Sequence, residues 1–133
     1  RSYSDLGYHI FNIADALLEH EAGIPLVFDA YNRVAKEGER SKAALAAYGR
    51  RVQQDLARYF DGPGKTRDWQ AKADVYYGRQ TMHEFLERTT WHSGQHTRQL
   101  MWVLEEKLEI PVDRPLDPEL WAGLPMPQSV WDA

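Results

Sequence analysis

The chain has 133 residues, the length of one domain, with five histidines, five tryptophans and no cysteine. The missing cysteine excludes disulfides, iron–sulfur clusters, cysteine-ligated zinc, a cysteine nucleophile and a redox dithiol. Any metal shell must be built from histidine and carboxylate, and any sulfur chemistry needs a sulfur from another molecule.

Apolar residues make up 43% of the chain and charged residues 27%, a balance that suits a folded domain rather than a disordered tail. No apolar run reaches the roughly 18 residues of a membrane span. Residues 1–21 do not read as a secretory leader. The chain opens on Arg1 rather than Met, and the expectation is a piece of a longer polypeptide in a cytoplasmic setting. The net charge of -4 is uneven: residues 32–79 hold 11 Lys/Arg against 6 Asp/Glu. That basic middle is expected to be a solvated helix face, and the overall acidity argues against nucleic acid as a partner.

In chain order, Ser2-x-x-Asp5 predicts a capping box that opens a first helix. Leu6, Ile10, Ile13, Ala14, Leu17 and Leu18 recur along it at helical spacing, and Gly23-Ile24-Pro25 ends it. His9 interrupts that apolar face. Residues 25–40 are ambiguous, with Val27 to Tyr31 either a short helix or an irregular covering segment. A second long helix is expected over 41–60, with a stripe of Ala44, Leu45, Tyr48, Val52, Leu56, Tyr59 and Phe60. Asp61-Gly62-Pro63-Gly64 closes it. Val75-Tyr76-Tyr77 is extended at most and too short to found a sheet.

Thr81-x-x-Glu84 predicts a second capping box and a third long helix reaching Ile110-Pro111. The tail, residues 111–133, carries five of the seven prolines and reads as an irregular strap. Asp117-Pro118 caps one helical turn in it, and Trp121, Leu124 and Trp131 are expected to pack onto the helices.

The third helix carries the chemistry. Phe85, Thr89, His92, His96, Leu100 and Val103 share one face. An i,i+4 pair is offset by only about 40° around a helix, so His92 and His96 can reach one ion. They stand where apolar residues belong, with Gly94 between them, although glycine there costs roughly 1 kcal/mol against alanine. That glycine implies close packing or room for an approach. With His9, the three imidazoles form a common donor set for zinc, nickel or iron. The competing expectation is histidines satisfied by neighbouring polar groups. His83-Glu84 fails the H-E-x-x-H pattern because residue 87 is Glu. His83 is expected to be exposed, and His20 to be a solvated cation at a helix end.

At this point the residues resemble a known family. Ser4-Asp5-Leu6-Gly7-Tyr8-His9-Ile10-Phe11 is similar to the Leu-x-x-His helix of the DinB-like superfamily. His92-Ser93-Gly94-Gln95-His96-Thr97-Arg98-Gln99-Leu100 resembles its H-x-x-x-H helix. Arg88, Trp91 and the Leu-Pro tail ending in Trp131 look like a subgroup associated with glutaredoxin-like domains. The resemblance implies an all-α, up-down-down-up four-helix bundle spanning residues 1–133. Here the bundle lacks its first helix and has a Pro-rich strap at 111–133. It also implies one divalent metal ion, zinc or nickel foremost and iron as an option, on His9, His92 and His96. The open side of an incomplete bundle implies a homodimer or an upstream domain of the parent chain.

The leading functional expectation is metal-dependent transfer to or from a low-molecular-weight thiol, on a small-molecule substrate. The alternatives are a metal-dependent hydrolase and a non-catalytic, metal-stabilised interaction module. A base or anion anchor would come from Arg98, Arg88, Gln95, Gln99, Glu84 or Asn12, with Arg98 and Gln95 first among them as catalytic residues. Asp5, one turn before His9, is expected to cap its helix, with orientation of His9 as its other possible role.

Overall fold

The computed structural model describes residues 2–123. The strap contacts expected of Leu124 and Trp131 lie outside the described residues. The chain is mostly helical, with α1 at Tyr3–Glu21, α2 at Phe28–Tyr31, α3 at Lys42–Asp61 and α4 at Met82–Trp102. A two-stranded sheet, β1 at Lys72–Val75 and β2 at Gly78–Thr81, precedes α4. Among the described residues no helix is long and apolar enough to cross a membrane.

Both capping boxes form. The Asp5 amide donates to Ser2 Oγ at 3.1 Å, and the Ser2 amide donates back to Asp5 Oδ2 at 2.9 Å. The Glu84 amide donates to Thr81 Oγ1 at 3.0 Å, and the Thr81 amide to Glu84 Oε2 at 2.7 Å. Ser41 caps α3 through the Ala44 amide. Helix α1 ends where Gly23 takes a φ of 88°, which suits a residue without a Cβ.

Helix α1 is the spine. It packs on α3 along one side and on α4 along another, while α3 and α4 do not approach each other. Leu6, Ile13 and Leu17 are fully buried. One apolar cluster joins Ile13, Ala16 and Leu17 of α1 to Tyr31 of α2, Ala73 and Val75 of β1, and Met82 and Phe85 of α4. Ion pairs lie along the α1–α3 side: Asp15 accepts from Tyr48 Oη at 2.9 Å and from Arg51 at 2.6 Å. At the far end Glu21 accepts from Tyr59 Oη at 2.6 Å and pairs with Arg67.

The hairpin corrects the expectation of an all-α chain. Residues 72–75 alternate exposed and buried, so Ala73 and Val75 enter the core while Lys72 and Asp74 face out. An isolated two-stranded hairpin is marginal in water. This one is held by that burial and by three further backbone bonds. The Met82 and His83 amides, two of the free donors at the start of α4, reach the carbonyls of Ala71 and Trp69 at 2.9 Å. At the hairpin turn, the Tyr76 amide donates to Leu26 O at 3.1 Å, tying the turn to the segment that contains α2.

The third long helix stops its α-helical course at Trp102 rather than running to Ile110. It widens into a π-turn over Val103–Lys107, and Glu109 then takes a positive φ of 53°. Asp117 caps a short turn at Pro118–Trp121, as its sequence predicts. His20 departs from expectation. Its ring packs edge-on against Phe85 at 5.2 Å, and its Nδ1 is buried with no hydrogen-bond partner among the described residues. The last turn of α1 is half-buried against the first half of α4, and the His20 ring also lies 3.8 Å from Glu21. His83 is exposed and lies 3.5 Å from Glu87.

Candidate metal centre

His9 comes from the middle of α1, and His92 and His96 from the middle of α4. The helix pair is locked in register beside them, because Ser93 Oγ donates to the carbonyl of Ile10 at 3.0 Å. Each residue of that bond adjoins a histidine, which brings the three rings to one point. Their centroids are 5.5 Å apart for His9–His92, 4.9 Å for His9–His96 and 4.7 Å for His92–His96. One ligand-capable nitrogen from each lies within 4.8 Å of the other two. His9 and His96 are buried and His92 is half-buried, which makes His92 the outermost ring.

The donor set fits a divalent ion. His92 Nε2 and His96 Nε2 face each other at 2.9 Å. His96 Nδ1 faces the side-chain oxygen of Gln99 at 2.5 Å. An oxygen acceptor there holds the proton on Nδ1 and leaves the Nε2 lone pair pointing into the centre. His92 Nδ1 meets the hydroxyl of Tyr31 at 2.9 Å. Burial, then the neighbouring His96 and the Arg88 cation, push the His92 imidazolium down to about 4. At neutral pH the ring is uncharged, the form a metal requires. Among the described residues no carboxylate or fourth histidine joins the cluster.

The supporting shell includes Asn12 and Gln99, which the sequence offers as an anchor or base, and Tyr31 and Ser93, which it does not single out. Tyr31 is buried, and burial raises its hydroxyl above its ordinary range. Its backbone is pinned by Asn12, whose Nδ2 donates to the carbonyls of Tyr31 at 2.9 Å and Ala30 at 3.1 Å. Asn12 therefore positions the covering segment. Asp5 acts as a cap, and its other oxygen faces Arg40 at 3.3 Å. Glu84 is likewise a cap.

Of the two residues put first as catalytic, Gln95 is half-buried and its side chain makes no hydrogen bond among the described residues. The glutamine that reaches a histidine is Gln99, one turn further on. Arg98 is buried with its guanidinium 5.3 Å from the Trp121 ring, and it lines a cavity with Met101, Glu105, Leu116 and Trp121. Trp121 in turn lies on Gly94, which settles that glycine as a close-packing position.

On the outer side, Trp91 is half-exposed with its ring 6.3 Å from His92. Arg88 stacks over the Tyr77 ring at 4.2 Å. Comparison of the chain with protein-family models, with curated proteins and with solved structures finds no match in any of the three.

Proposed function

We propose that the chain is a DinB-like protein that binds one divalent metal ion through His9, His92 and His96. In this reading it serves as a metal-dependent transferase acting with a small external thiol. The observation that carries the metal is the convergence of three buried or half-buried imidazoles from two helices, with two Nε2 atoms 2.9 Å apart. Two such atoms face each other comfortably only if one bears a proton or a cation lies between them. The ion would be zinc or nickel, since neutral nitrogen ligands suit both.

An ion held there supplies Lewis acidity and favours the thiolate form of a sulfur ligand. The chain's own contribution is positioning. Gln99 and Tyr31 fix the rings, and Ser93 fixes the register of the two helices. The absence of cysteine assigns the sulfur to a cosubstrate. Among the described residues no carboxylate joins the cluster, so solvent would take the proton of an incoming thiol.

A catalytic ion, in a transferase or a hydrolase, is favoured over a purely structural one by the lack of a fourth protein ligand among the described residues. A structural zinc site is closed by four ligands, whereas a catalytic one keeps a position open. The deciding experiment is anomalous scattering from a crystal of untagged protein, which locates the ion and counts its ligands. One ion on the three histidines with an open position supports the reading. A protein that takes up no metal, or holds it elsewhere, overturns it.

A further inference from the structure

The surface beside His92 is a circuit of neighbouring side chains from three segments, running from Arg88 round to Trp91. Arg88 stacks on Tyr77 at 4.2 Å, and Tyr77 meets Tyr76 edge-on at 4.9 Å. Tyr76 lies 5.5 Å from Tyr31, whose hydroxyl bonds His92, and His92 lies beside Trp91. Trp91 stands three residues after Arg88 on α4, about one helical turn away. Phe28 extends it outward, 5.5 Å from Tyr76. Tyr76, Trp91 and Phe28 all expose ring surface.

The circuit contains one cation and no carboxylate. Arg33, Arg40, Arg51, Arg58, Arg67 and Arg79 each meet an acid, and Arg88 meets none among the described residues. The two acids near it on α4 are engaged elsewhere, Glu84 in the capping box and Glu87 with His83. A guanidinium stacked on a ring keeps its in-plane N–H groups free for a bidentate oxyanion. Arg88 is also four residues before His92, on the same face of α4. Three neutral imidazoles would leave the charge of a bound ion uncompensated, which would add to the pull of Arg88 on an anion.

We propose that this circuit binds an aromatic carboxylate, with the carboxylate on Arg88 and the ring against the exposed faces of Trp91 and Tyr76. Its standing as the substrate side of the centre rests on the metal reading above. The binding itself can be tested apart from it. The unsaturated ring matches the aromatic lining, and the single charge matches the single guanidinium.

The test uses the full chain, zinc-loaded and metal-free, titrated calorimetrically with benzoate, acetate and benzyl alcohol. Benzoate is expected to bind at least tenfold more tightly than either of the others, because only it offers both ring and charge. Arg88→Gln is expected to weaken benzoate at least tenfold while leaving zinc stoichiometry unchanged, and Trp91→Leu to weaken benzoate several-fold. Equal binding of benzoate and acetate, or benzoate affinity unchanged in Arg88→Gln, overturns the proposal even if one zinc is present per chain. A benzoate preference in wild-type protein that takes up no zinc upholds the binding circuit and overturns the metal reading instead.

Discussion

The indole of Trp121 rests directly on Gly94: a Cβ at position 94 would stand 2.6 Å from the ring. The glycine between the two helical histidines is thus filled from outside by a residue of the C-terminal segment. Gly94→Ala is expected to displace Trp121. Alanine gains about 1 kcal/mol of helix propensity, while the lost packing costs roughly 1–3 kcal/mol, so a small net loss is expected. In a Trp121→Ala background the same substitution should become stabilising by about 1 kcal/mol. Urea unfolding of the four proteins of this cycle measures the coupling. An additive cycle would show that the contact carries no energy.

The three histidines are expected to act as a set. His9→Ala, His92→Ala and His96→Ala should each lower metal affinity by more than the roughly 10–100-fold typical of losing an outer-shell partner. His83→Ala, which changes an exposed side chain paired with Glu87, should bind metal as the wild type does. Metal content after dialysis against a weak chelator separates the cases. If all four variants behave alike, the ion is held elsewhere.

Tyr31 and Gln99 are expected to reveal the shell. Gln99→Leu removes the acceptor that fixes His96, and Tyr31→Phe removes the hydroxyl at His92 Nδ1. Each should weaken the metal roughly 10–100-fold with the ligands intact. Gln99→Glu retains an oxygen acceptor and should recover binding, an outcome that mere loss of packing would not produce. Competition with a chromophoric chelator gives the affinities.

How much of this was legible in the sequence differs by element. Helix starts were legible because Ser2, Ser41 and Thr81 carry local hydrogen-bond chemistry that needs no tertiary context. The histidine face of α4 was legible through its spacing, and His9 through its misfit with the apolar stripe of α1. The hairpin was not: four-residue strands carry little periodicity, and β1 exists because Ala73 and Val75 find a core made by distant helices. Tyr31 was missed for the same reason. It is held by Asn12, nineteen residues earlier, and it serves His92, sixty-one residues later. The partial burial of His20 was not legible either, because the Phe85 ring beside it comes from α4, which no local pattern reports.

The metal-free protein should lose stability as pH falls, with a slope traceable to His92. Burial, His96 and Arg88 push its imidazolium from the ordinary 6.5 to about 4 in the folded state. Below pH 6.5 the unfolded chain therefore takes up a proton that the folded chain refuses. A histidine lowered on folding contributes fully above its unfolded value, and its contribution declines as pH drops toward about 4. The slope from this one group cannot exceed about 1.4 kcal/mol per pH unit. His92→Gln removes the titration, so its stability should fall less steeply than that of the wild type between pH 6.5 and 4. Denaturant unfolding at half-unit pH steps in the presence of chelator measures both slopes. Parallel curves would show that His92 titrates alike in the folded and unfolded states. Added zinc should steepen the wild-type dependence, because protons then compete with the ion for all three imidazoles.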